Sequence, residues 1–111
     1  MVKTEKELNK ILHDYVELAR KSFFIKEAYL FGSYVSNSAH NDSDIDIALV
    51  SPDFENIPED ALLKILFKMA RHIDTAIEPI ALTEEEIRMP TIGTVAVDIK
   101  NKGRIIYQLK S

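Results

Sequence analysis

The chain has 111 residues, 46% hydrophobic and 29% charged, which is the make-up of a folded soluble protein and not of a disordered segment. No apolar run approaches the ~18 residues a membrane span needs. The absence of cysteine removes disulfides, thiolate zinc sites and thiol nucleophiles together. A net charge of −4 has the wrong sign for a protein that grips duplex DNA or RNA through phosphates, so duplex nucleic acid is disfavoured and any polyanionic ligand should arrive with a cation.

No repeat, linker or low-complexity tract divides the sequence, and a single domain over 1–111 is expected. The charged first ten residues lack the apolar stretch of a secretory signal, so the expected location is cytoplasmic, with no membrane association. His13, His40 and His72 are far apart and show no metal-ligand spacing.

Thr4-Glu5-Lys6-Glu7 has the capping-box pattern, and Leu8, Ile11, Leu12, Tyr15, Val16 and Ala19 follow at helical spacing, which predicts a helix from about Glu5 to Ser22. Glu27 to Phe31 is a short apolar run ended by Gly32 and reads as a buried strand. Residues 34–43 are polar and should be loop with one helical turn at most. From Asp44 to Val50 the chain alternates, with Asp44, Asp46 and Ala48 on one side and Ile45, Ile47 and Leu49 on the other, the pattern of a strand with one face buried.

Pro58-Glu59-Asp60 looks like a helix start, and Leu62, Ile65, Leu66, Met69, Ala70 and Ile73 continue it as a stripe that Leu63 and Phe67 widen. Those last two fit either core or an exposed contact. Ala76 to Leu82 should be a strand, and Thr83 to Glu86 a second capping box opening a short helix. Beyond it, Val95, Val97 and Ile99 alternate like a strand, while Ile92, Val95, Ala96 and Ile99 also fit a helix with Gly103 as its C′ residue; the helix is preferred, followed by a strand from Arg104 to Leu109.

The chemistry concentrates in two short segments. Residues two apart on a strand point the same way with a rise of ~6.5–7 Å, so Asp44 and Asp46 place two carboxylates over one small volume. Their repulsion is relieved by a divalent cation, and oxygen-only ligands suit Mg²⁺ or Mn²⁺ better than zinc. Gly32, directly after a strand, lets a phosphate approach the main-chain N–H groups, and Ser33 adds a hydroxyl donor. Glu78, between Ile77 and Ile80 in an apolar strand, needs a partner that this metal site could supply. Two ions ~3.5–4 Å apart could then be held by Asp44, Asp46 and Glu78.

Other readings of single residues are weaker. A calcium loop starting at Asp42 would need glycine and glutamate where Ile47 and Asp53 stand. Glu78 could instead pair with a surface lysine or arginine. Asp74 is a rival third acid but looks like a turn residue after a helix, and His40 is better read as solvated. Lys64, Lys68 and Arg71 share one helix face, read as a solvated stripe.

Gly32-Ser33, ten intervening residues, then Asp44-x-Asp46, with apolar strand residues around them, resembles the minimal nucleotidyltransferase branch of the DNA polymerase β superfamily. The resemblance spans about Glu27 to Leu82 by motif and nearly the whole chain by element order. It implies an α+β fold, a small mixed sheet packed with helices in the polymerase β-like, palm-type manner. It also implies ATP or another NTP as donor, two Mg²⁺ ions (Mn²⁺ as substitute), and catalytic and metal-binding roles for Asp44, Asp46 and Glu78. Gly32 and Ser33 would hold the donor phosphates, and Ser43, beside Asp44, joins them as a donor-binding residue.

Members of this branch are often paired with small helical HEPN proteins and act as their antitoxins, some by transferring AMP to a tyrosine of the partner. AMP transfer to a hydroxyl of a HEPN-type partner is therefore the leading expectation, and contact-only neutralisation by a catalytically weak module is the alternative. Small-molecule modification is disfavoured, because 111 residues leave no room for an extra helical domain over such an acceptor. Homo-oligomerisation is left open. One departure stands out. Family members commonly carry a basic residue followed by glycine where this chain has Ser36-Asn37; Asn37 can take a positive φ as glycine does, but the positive charge is missing.

Overall fold

A computed structural model gives the arrangement of residues 3–40 and 42–110. The first helix, α1 (Glu5–Arg20), starts as its capping box dictates: Thr4 Oγ1 accepts from the Glu7 N–H at 3.1 Å, and Glu7 Oε1 accepts from the Thr4 N–H at 2.8 Å. It ends two residues before the expected Ser22. There the chain turns so that the Phe23 N–H reaches the Ala19 carbonyl and the Phe23 ring enters the core.

Four strands follow: β1 (Glu27–Phe31), β2 (Ile45–Val50), β3 (Ile77–Leu82) and β4 (Arg104–Gln108). They form one mixed sheet in the order β3-β2-β1-β4, antiparallel except for the parallel β2–β3 pair. That parallel pair needs a crossover, which α3 (Glu59–Ile73) provides after a 3₁₀ turn at Pro52–Asn56. Pro79 sits in β3, at the sheet edge, where a missing N–H breaks no ladder.

Helices α1 and α3 lie side by side on one face of the sheet. Their Leu12, Tyr15, Leu62 and Leu66 side chains pack on Leu30, Ile45 and Ile47. Tyr15 is wholly buried, and its hydroxyl donates to the Leu66 carbonyl of α3 at 3.0 Å, so one side chain ties the two helices together.

The opposite face differs from the half-buried strand expected over Asp44–Val50. Ala48 and Val50 are buried as fully as Ile45 and Ile47, because the short helices α4 (Glu84–Arg88) and α5 (Val95–Lys102) cover them with Ile87, Ala96 and Ile99. Only the Asp46 end of that face stays uncovered enough to leave its side chain partly exposed. Asp44 lies just before β2 and not within it.

The C-terminal region adopts the preferred helix-then-strand arrangement, with two differences. Ile92 lies outside the helix and is 94% exposed. Gly103 closes α5 with φ −70° and ψ 151°, so it is not a left-handed C′ residue. Glycine is needed there for space: an added Cβ would stand 2.5 Å from the Ile99 carbonyl oxygen and 3.4 Å from the Tyr29 ring. Among the described residues no helix is long and apolar enough to cross a membrane.

Tyr15→Phe should lower unfolding stability by about 1 kcal/mol, since Leu66 loses a side-chain donor while the ring still fills its place, whereas Tyr15→Ala should cost about 3–5 kcal/mol. Urea unfolding of the two variants checks the contrast. Equal losses would mean that the ring contributes little packing.

Candidate active site

The site is assembled where β1 ends and β2 begins. Gly32 leaves β1 with φ 78° and ψ −149°, a backbone conformation that disfavours any residue with a Cβ. There is a steric reason as well. A Cβ on Gly32 would lie 2.2 Å from Asp46 Oδ2, so the glycine leaves the volume that the Asp46 carboxylate fills. One helical turn, α2 (Ser33–Ser36), follows and is closed by Asn37 in the left-handed region at φ 61° and ψ 26°, with its N–H on the Ser33 carbonyl. The turn expected to survive the loss of glycine at this position does so, because asparagine tolerates positive φ.

The connecting loop is held by its own groups. Ser43 Oγ accepts from the His40 N–H at 2.8 Å, and the Ser43 N–H donates to the His40 carbonyl at 3.0 Å. His40 is exposed, and its Nδ1 faces the Asp42 N–H, in keeping with a solvated residue. Thus Ser43 fixes the approach of the chain to Asp44.

Within the sheet, Asp46 is flanked on both sides: Phe31 of β1 is its register partner on one edge and Glu78 of β3 on the other. Neighbouring strands are ~4.8 Å apart, which sets Asp46 and Glu78 next to each other on one face. Burial, then the Asp44 charge, then the Glu78 charge push the Asp46 carboxyl above the ordinary aspartate range, and among the described residues no basic side chain offsets them. The three sequence-predicted acids are therefore electrostatic neighbours. Among the described residues they do not close into a tight three-ligand cluster. Their chemistry, oxygen donors only and unrelieved negative charge, fits a hard divalent cation such as Mg²⁺.

The competing assignments separate cleanly. Glu78 makes no ion pair among the described residues, so the surface-pair reading finds no partner. Asp74 is a turn residue: it caps α3, accepts from the Ala76 N–H at 2.8 Å and faces Lys3 at 3.5 Å. Lys64, Lys68 and Arg71 are all exposed on α3. Leu63 and Phe67 are half-buried and line a cleft of about 490 Å³ with Phe54, Pro79 and Val95.

Sequence reasoning missed the contribution of α5. A cleft of about 300 Å³ opens beside the Gly32 turn, lined on one side by Phe31, Gly32 and Ser36 and on the other by Val95, Asp98 and Lys102. The last three recur at spacings of three and four, so they share one helix face, but nothing in the local sequence ties that face to a turn some sixty residues earlier.

A mixed four-stranded sheet with a glycine–serine turn facing an Asp-x-Asp strand start is the layout of a nucleotidyltransferase domain. The family model for the polymerase beta nucleotidyltransferases matches residues 6–111, and the chain belongs to that family. It is also similar to the protein adenylyltransferase MntA of Thermococcus cleftensis, 41% identical over 63 residues, a stretch that covers 57% of this chain and 59% of that protein. Among solved structures, a protein of Sulfolobus solfataricus assigned to the nucleotidyltransferases superposes with a TM-score of 0.68 at 21% identity, over 97% of this chain and 92% of that one. A chain from a toxin–antitoxin structure with AMP-PNP superposes with a TM-score of 0.64 at 21% identity, over 92% and 74%. At those identities the structures establish the shared α+β fold.

Gly32→Ala should destabilise the protein by about 1–3 kcal/mol through backbone strain together with displacement of Asp46. In an Asp46→Ala background the steric part vanishes, so the same change should cost at least about 1 kcal/mol less. A double-mutant cycle by denaturant unfolding measures this coupling; additive costs would separate the turn from the aspartate.

Proposed function

We propose that the chain transfers a nucleoside monophosphate, AMP from ATP, onto a hydroxyl of a small helical HEPN-type partner, as the antitoxin of a toxin–antitoxin pair. The observation that carries this reading is Asp46, set between the Gly32 turn and Glu78 with its negative charge unrelieved. The adenylyltransferase relative and the toxin–antitoxin structure with AMP-PNP support the donor and the partner class.

In this reading Asp44, Asp46 and Glu78 would hold Mg²⁺, as two ions, with Mn²⁺ as a substitute. Bound divalent ions would neutralise the triphosphate and make the acceptor oxygen more nucleophilic. The Gly32 and Ser33 main chain and the Ser33 hydroxyl bind donor phosphates, while Ser43 holds the loop that presents Asp44. The acceptor oxygen bonds to the α-phosphorus, the bond to the pyrophosphate oxygen breaks, and the hydroxyl proton is released. Glu78, on the β3 side, would help hold the ion that activates the acceptor hydroxyl.

Contact-only neutralisation is the second reading. It is favoured by the exposed apolar side chains of Met89 (73%), Ile92 (94%) and Val95 (41%) before and at the start of α5, which a partner could cover.

Intact-mass measurement separates the two. The chain, its co-purified partner and Mg²⁺ are incubated with each NTP in turn. AMP-sized increments on the partner with ATP, lost in Asp44→Ala and Asp46→Ala, are expected. Neutralisation that persists in Asp46→Ala without any mass change would establish contact alone.

A further inference from the structure

Resting on the nucleotidyl-transfer reading, we infer that Lys102 of α5 binds the donor triphosphate, supplying from across the cleft the positive charge that the glycine–serine turn lacks. A bound triphosphate would bring up to four negative charges to a place that already holds Asp44, Asp46 and Glu78. Metal ions offset part of that charge, and a basic side chain is the usual complement. From Gly32 to Asn37 the turn has none.

Lys102 is the one basic residue, among the described residues, that lines the cleft with Gly32 and Ser36. The other cations near the sheet lie away from this cleft. Lys26 pairs with Glu84 at 3.1 Å, and Lys100 donates to the Arg88 carbonyl. Arg104 lines a separate cleft against α1 with His13 and Glu17. Lys102 itself makes no ion pair among the described residues, not even with Asp98 one helical turn earlier on the same face.

Its backbone is also firmly placed. Ala96 and Ile99 anchor α5 in the core, and the Gly103 N–H donates to the Ile99 carbonyl at 2.8 Å, which closes the last turn of the helix. A flexible four-carbon stem ending in a compact charge, on a fixed backbone and beside an open cleft, suits a phosphate whose position shifts during transfer.

Titration calorimetry of ATP binding with Mg²⁺ present tests this on the intact chain. Lys102→Ala should weaken ATP binding about fivefold, more at low than at high salt. Lys102→Arg should retain it, and adding Ser36→Arg to Lys102→Ala should restore it, because position 36 lines the same cleft. Thermal melting of each variant confirms folding. Unchanged affinity in folded Lys102→Ala, or a loss that neither arginine repairs, would overturn the inference while leaving nucleotidyl transfer standing. A wild-type chain that fails to bind ATP would overturn both.

Discussion

The site depends on one close packing: the Asp46 carboxylate occupies the space that a side chain at position 32 would need. This contact couples two segments that the topology brings together from opposite directions, β1 leaving the sheet and β2 entering it. Because β1 and β2 are antiparallel neighbours, the exit of one and the entrance of the other fall side by side. The residue that must be small and the residue that must be charged are then chosen by the same few cubic ångströms. Substituting either one changes the environment of the other.

The rest of the fold serves that junction. The parallel β2–β3 pairing sets Glu78 beside Asp46, and only a crossover as long as α3 can return the chain for it. Tyr15 and Leu66 bind α1 and α3 into the layer that keeps this pair of strands in register. On the other face α4 and α5 cover Ala48 and Val50 but stop short of Asp46, so β2 is dry along most of its length and accessible where the acids lie. At the margin of an apolar sheet, burial and the charges of Asp44 and Glu78 raise the affinity of Asp46 for a proton, and the same electrostatics favour a cation beside it.

Much of this was legible in the sequence because the signals are local. The capping boxes at Thr4 and Thr83 rest on contacts three residues apart, and the strand at Glu27–Phe31 is marked by its apolar run and by Gly32. The spacing from Ser33 to Asp46 carries the family pattern within fourteen residues. What was not legible is tertiary. Burial of the second face of β2 depends on α4 and α5, whose short lengths leave too few apolar positions for a clear stripe: Ile87, Ala96 and Ile99. Gly103 leaves α5 in an extended conformation that would put a Cβ 2.5 Å from the Ile99 carbonyl oxygen, where the sequence suggested a left-handed cap. The approach of Lys102 to the Gly32 turn is tertiary as well.

Asp46 is held beside Asp44 and Glu78 under a repulsion that a divalent cation would relieve. A carboxyl whose folded-state proton affinity is raised costs stability as it ionises, so the penalty is absent in acid and appears as pH rises through the folded-state value. Thermal melting of wild type and Asp46→Asn, across pH and with or without Mg²⁺ or Mn²⁺, reads this directly. In metal-free neutral buffer the variant should melt about 2–4 °C higher, a modest gain because the group is partly solvent-screened. That advantage should fade as the pH falls, and the cation should raise the wild-type midpoint well above its effect on the variant. A variant less stable than wild type at every pH, together with a cation that shifts neither protein, would contradict the account.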